Sequence, residues 1–182
     1  MIINLATFPI YFGLLSVLAK EVFNSTASGL GFMMGTYSLG ALVGSLFAGG
    51  RNSSGKIGRL AVVGALLWSG TIILLALASN FVVSLPILFI AGLGQSICVV
   101  AIAMMLLSLT PDHLRGRVMG LRQLAVYSLP LGLLVSGTIA EIVGVRTAIF
   151  VDGLLGALLV TVCFMVWPDI LKTRSIRERT ES

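Results

Sequence analysis

Residues 60–111 read LAVVGALLWSGTIILLALASNFVVSLPILFIAGLGQSICVVAIAMMLLSLTP and contain no Asp, Glu, Lys or Arg. A membrane-spanning helix needs about 20 apolar residues. This stretch is too long for one span, so a turn must lie inside it. Ser79-Asn80-Phe81 and Ser84-Leu85-Pro86 supply the turn, because Asn and Pro punctuate helices. Two spans follow, at 58–79 and 84–108, with Pro86 starting the second.

The rest of the chain repeats the pattern. Residues 22–50 are also uncharged, and Asn24-Ser25-Thr26-Ala27-Ser28-Gly29 opens them as a loop with a helix start, placing a span at 29–50. Another span fills 2–19, up to Lys20-Glu21. A fifth runs over 115–140 and a sixth over 146–167, where Pro168 stops it. The expected fold is an all-α membrane protein with six transmembrane helices over residues 1–168 and a basic cytoplasmic tail over 169–182. Charge supports it. Only 10% of the 182 residues are charged and 57% are apolar, with a mean hydropathy of +1.07. A soluble domain carries about 25% charge, and disorder needs low hydrophobicity. No ten-residue alternation suggests a β-barrel. The first segment lacks the basic lead of a signal peptide.

The twelve basic residues set the orientation. Arg51, Lys56 and Arg59, then Arg115, Arg117 and Arg122, then Lys172, Arg174, Arg177 and Arg179 fall on one side. Lys20 and Arg146 fall on the other. Both termini are therefore expected in the cytoplasm of a multi-pass protein of the cell membrane. The net charge of +5 needs no nucleic-acid partner, since these charges sit at membrane ends. Cys98 and Cys163 lie in apolar runs and read as packing residues. His113 stands without neighbouring ligands, so no metal and no cofactor is expected.

Six short-looped spans divide into two sets of three with opposite direction, a 3+3 inverted repeat of the kind transporters use. Small residues four apart let helices approach closely. Gly31-x3-Gly35 and Gly40-x3-Gly44 do so in the second span, and Gly116-x3-Gly120, Gly132 and Gly137 in the fifth. The reading is tight packing or a surface on which helices rock. Pro130 is expected to bend the fifth span at its middle.

Polar groups at membrane depth are costly and mark candidate sites. Gln95 lies near the middle of the fourth span, flanked by Gly92, Gly94 and Ser96. It contacts substrate or bonds between helices. Asn4, Thr7 and Tyr11 share one face of the first span by their spacing. Thr36, Tyr37 and Ser38 are ambiguous. Asp152, with Arg146 and Glu141 nearby, reads as a structural or outer-interface carboxylate; its depth is too shallow for a deep proton relay. Arg122 either snorkels to the headgroups beside Arg115 and Arg117 or contacts a gate. Trp68 faces lipid or packs, and Trp167 belongs to an interfacial belt.

The loop Pro111-Asp112-His113-Leu114-Arg115-Gly116-Arg117-Val118-Met119-Gly120, followed by Pro130-Leu131-Gly132, Ser136-Gly137 and Gly144-Val145-Arg146, resembles the second half of a major facilitator superfamily transporter. That family has a P-x3-R-G-R-x2-G loop leading into its eleventh helix. Ala27-Ser28-Gly29-Leu30-Gly31 resembles the start of the eighth helix in its drug and siderophore exporters. The family's loop between its eighth and ninth helices often reads G-x3-D-R-x-G-R. Residues 50–59 keep its glycines and basic residues but lack the acidic one, so an Asp-mediated gate contact is not implied.

The resemblance implies a half-bundle in which 1–19 is the seventh helix and 147–167 the twelfth. Spans 1, 2, 4 and 5 would face a cavity, with Gln95, Asn4, Thr7 and Tyr11 lining it. Arg51, Lys56, Arg59, Arg115, Arg117 and Arg122 would serve a cytoplasmic gate or anchor. Gly40, Gly44, Pro130, Gly132 and Gly137 would form packing or hinge positions. The implied function is alternating-access transport of a small-molecule substrate, an efflux that is proton-coupled in many such exporters. The start of the chain almost at a membrane helix suggests a fragment missing its N-terminal half, or a half-transporter pairing with a second copy. An oligomeric pore or scaffold without gradient-driven transport is the alternative. A membrane enzyme is disfavoured, since no nucleophile stands with a base at membrane depth.

Overall fold

The computed structural model describes residues 13–23, 25–50, 57–126 and 129–166. Helix α1 covers Leu15–Val17 and continues as a π turn over Leu18–Val22. Then come α2 (Ala27–Gly49), α3 (Ile57–Leu77), α4 (Phe81–Leu109), a 3₁₀ turn at Asp112–Leu114, α5 (Arg115–Val126), α6 (Leu129–Val143) and α7 (Val145–Val166). Among the described residues, four helices are long and apolar enough to cross a membrane: Ala27–Gly49, Ile57–Leu77, Phe81–Leu109 and Val145–Val162. The expected spans 1 and 5 fall partly on residues outside that set.

Two boundaries differ from the sequence reading. The first helical segment runs on to Val22 rather than stopping at 19, because no Gly or Pro interrupts it and exposed Lys20 lies at its end. The turn before α4 is shorter than expected. It occupies 78–80, and Pro86 lies inside the helix instead of opening it. The Ser84 amide donates to the Asn80 carbonyl at 3.1 Å and its hydroxyl to the Phe81 carbonyl at 2.6 Å. The turn before Pro86 is thus already helical, and proline removes only its own amide bond. Pro130 lies in α6, and the expected bend falls beside residues 127 and 128, which lie outside the described residues.

Helix directions follow from what touches what. Gly40 and Gly44 of α2 lie against the backbones of Phe89 and Leu93 of α4, so these helices run parallel. Gly64 of α3 lies against Cys98, and Gly94 of α4 against the Trp68 amide, so α3 and α4 are antiparallel. Gly153 of α7 meets Ile72 and Ile73, while Ala65 packs with Val160, making α7 antiparallel to α3. These directions are the ones that alternating crossings require.

One end of the bundle is tied together. The rings of Phe23 and Phe81 meet edge to face at 6.3 Å. Arg146 Nη2 donates to the Ala78 carbonyl at 3.2 Å. Gly144 links α6 to α7 with φ of +86°, a left-handed conformation that glycine adopts without strain. Its amide donates to the Ala140 carbonyl and its carbonyl accepts from Ala148, each at 3.0 Å, so one residue closes α6 and opens α7.

The core at this end joins Leu14, Leu15 and Leu18 to Met33, Tyr37, Trp68, Ile72, Leu88 and Ile149. Trp68 is therefore a packing residue, only 2% exposed. Cys98 is buried with Ala65 and Val160 in a second cluster. The outside is apolar as well: Phe32, Leu46, Val82, Leu121, Ile142 and Met165 are all exposed. Such a surface suits lipid. Several Ser and Thr hydroxyls are satisfied within their own helices, as where Thr36 donates to the Phe32 carbonyl at 2.8 Å and Thr71 to the Leu67 carbonyl at 2.9 Å.

Candidate functional site

α4 is held on two sides by glycines. A Cβ on Gly40 would collide with the Phe89 carbonyl, and one on Gly92 with the Tyr37 carbonyl. The contact is reciprocal: each helix offers a glycine to the other's backbone. The same holds at the second crossing, where a Cβ on Gly64 would lie 2.9 Å from the Gly94 carbonyl oxygen, and one on Gly94 3.1 Å from that of Gly64. Backbones this close gain dispersion contact and Cα–H···O contacts, which replace the absent hydrophobic drive in lipid.

These contacts leave one sector of α4 free of both neighbours. At about 100° per residue, Phe89, Gly92 and Leu93 point to α2, and Gly94, Ile97 and Cys98 point to α3. Gln95 falls in the remaining sector, and Val99 lies one turn further along it. Both are half-buried. From the neighbouring α5, Arg122 Nη2 donates a long 3.4 Å hydrogen bond to the Val99 carbonyl. Val99 lies one turn from Gln95, about 6 Å along the α4 axis, so the Arg122 guanidinium reaches α4 one turn from Gln95.

The other basic residues behave differently. Arg115 pairs with Asp112 at 2.7 Å, with both side chains well exposed. Arg117 is exposed, as is Arg59 in the first turn of α3. Gly137 has open space where a side chain would go. Gly132 lies in α6. Asn4, Thr7, Tyr11, Arg51 and Lys56 lie outside the described residues.

Two features are not evident from local sequence. Asp152 is only 4% exposed, on the packed face of α7. Residues 145, 148, 149, 152, 153, 156 and 160 form that face. Their three-and-four spacing is the signal that would have placed Asp152 inside. The second feature is a groove of about 340 Å³ along α2, lined by Ser28, Gly31, Phe32, Gly35, Thr36 and Leu39.

No curated protein and no solved structure matches the chain. Comparison with protein families matches residues 1–181 to the Major Facilitator Superfamily. Apolar spanning helices, glycine-locked crossings and a polar face at membrane depth are what such a protein needs. The chain is a member of the major facilitator superfamily, an integral membrane protein whose class carries small molecules across the bilayer and does no enzymatic chemistry.

Proposed function

We propose that this chain forms the C-terminal, six-helix half of an exporter of the drug or siderophore type, working by alternating access. Residues 1–168 are the half-bundle, a 3+3 inverted repeat, and 169–182 a basic cytoplasmic tail, with both ends of the chain in the cytoplasm of a cell-membrane protein. Efflux is proton-coupled and needs a partner half, either an N-terminal half or a second copy. The observation that carries this reading is the free sector of α4. Gln95 faces neither α2 nor α3, so its amide is available to a cavity. Asn4, Thr7 and Tyr11 are proposed to line the same cavity. Arg51, Lys56, Arg59, Arg115 and Arg117 are proposed for the cytoplasmic gate or anchor.

The test is flux in liposomes with an imposed pH gradient, before and after Gln95→Leu. The expected outcome is a several-fold change for part of a broad substrate panel, with insertion intact. Unaltered flux across the panel overturns the site. Ion conductance without substrate-dependent, gradient-driven flux would instead establish the pore. Crosslinking in the membrane tests the partner half, and transport by a strictly monomeric chain would break the two-half reading.

A further inference from the structure

Arg122 differs from the other described cations, since Lys20, Arg59, Arg115, Arg117 and Arg146 are all exposed. It is half-buried and stands seven residues, about 10 Å, into α5 from Arg115. Val99, whose carbonyl it reaches, lies ten residues from the end of α4 at Leu109. That is about 15 Å, half the thickness of a bilayer core. A guanidinium drawn to the surface would reach toward Arg115 and the headgroups. This one reaches α4.

Its charge is not neutralised by any described side chain. The acidic residues among those described are Glu21, Asp112, Glu141 and Asp152. Asp112 pairs with Arg115, and Arg122 makes no ion pair among the described residues. A guanidinium carries five donors in a planar fork, and the Val99 bond uses one of them weakly. A half-buried charge without a counter-ion is costly, and an anion bound there would offset that cost. Gln95, one turn along the same sector, adds an amide donor that suits the second oxygen or the body of the same ligand.

We propose that the face formed by Arg122 and Gln95 binds the oxyanion group of a small molecule, and that the substrates are amphiphilic anions. This deepens the exporter reading and rests on it. The guanidinium supplies the charge recognition and the planar fork matches a carboxylate or phosphate. Gln95 sets orientation.

The experiment measures binding of naphthoate and of neutral naphthamide to the purified chain in phosphatidylcholine nanodiscs. The wild-type chain is expected to hold naphthoate roughly tenfold or more tighter than naphthamide, the scale of a charge-assisted hydrogen bond. Arg122→Gln should erase that preference while leaving naphthamide affinity within about twofold, which also shows that the variant folds. Arg122→Lys should restore part of it. Gln95→Leu should weaken both probes. No preference in the wild type, or a preference that survives Arg122→Gln, overturns the proposal. If that happens while Gln95→Leu still weakens both probes, the cavity stands and only the anion is wrong. If Gln95→Leu changes neither probe, the cavity itself fails. A lipid phosphate is the other source of an oxyanion. In phosphatidylglycerol nanodiscs the ratio of wild-type to Arg122→Gln affinity should hold, since surface charge acts on both alike. Collapse of that ratio assigns the guanidinium to the headgroup and overturns the small-molecule reading.

Discussion

Helix α2 carries the same motif twice with opposite results. At Gly40-x3-Gly44 the backbone of α4 presses on both glycines. At Gly31-x3-Gly35 nothing lies within 4 Å of where a Cβ would stand. The two motifs are nine residues apart, which is about two and a half turns. They therefore point to opposite sides of one helix. Met33, Tyr37, Gly40, Gly44 and Ala48 make the buried side. Ser28, Gly31, Phe32, Gly35, Thr36 and Leu39 make the open one. Small-residue spacing permits close approach, but helical phase decides whether a partner is there.

The contrast can be broken by substitution. The largest effect is expected for Gly40→Leu, because a side chain there runs into the Phe89 backbone, which cannot rotate away. The helices must separate, so a loss of about 3 kcal/mol or more is expected, read as a lower unfolding temperature in detergent or failure to fold. Gly44→Ala is milder. Its Cβ would stand 2.5 Å from the Leu93 carbonyl oxygen and 3.0 Å from its Cα. The α4 backbone must move to relieve this, for a cost of about 1–3 kcal/mol by the same measurement. Gly31→Ala should cost nothing. It meets open space and gains helix propensity, up to about 1 kcal/mol of stabilisation. A loss of stability at Gly31 equal to that at Gly44 would show that the open side is covered too, and the contrast would disappear.

Much of this was legible from residue order. The charge-free run that begins after Arg59 and the Ser79-Asn80 turn mark the helix that covers Ile57–Leu77. Gly40 and Gly44 were identified as packing positions from spacing alone. Pro86 lies inside α4 rather than opening it, since a proline's effect depends on how many helical turns precede it. Gln95 was identified by polarity and depth, but not its sector, because the direction it faces depends on where α2 and α3 press. Arg122 was left between headgroup and gate. Its arm is long enough for either, and its bond to the Val99 carbonyl is a contact between helices that residue order does not show.

Composition and the placement of charge determined by themselves that this chain lives in lipid as helices, because unpaired backbone polar groups are too costly there for most other structures. Tertiary structure decided which face of each helix meets which neighbour. That depends on backbones approaching at specific glycines, and a one-dimensional spacing is the same whichever way the helix is turned. The same rotation that closes Gly40 against Phe89 leaves Gln95 on a side of α4 that meets neither α2 nor α3.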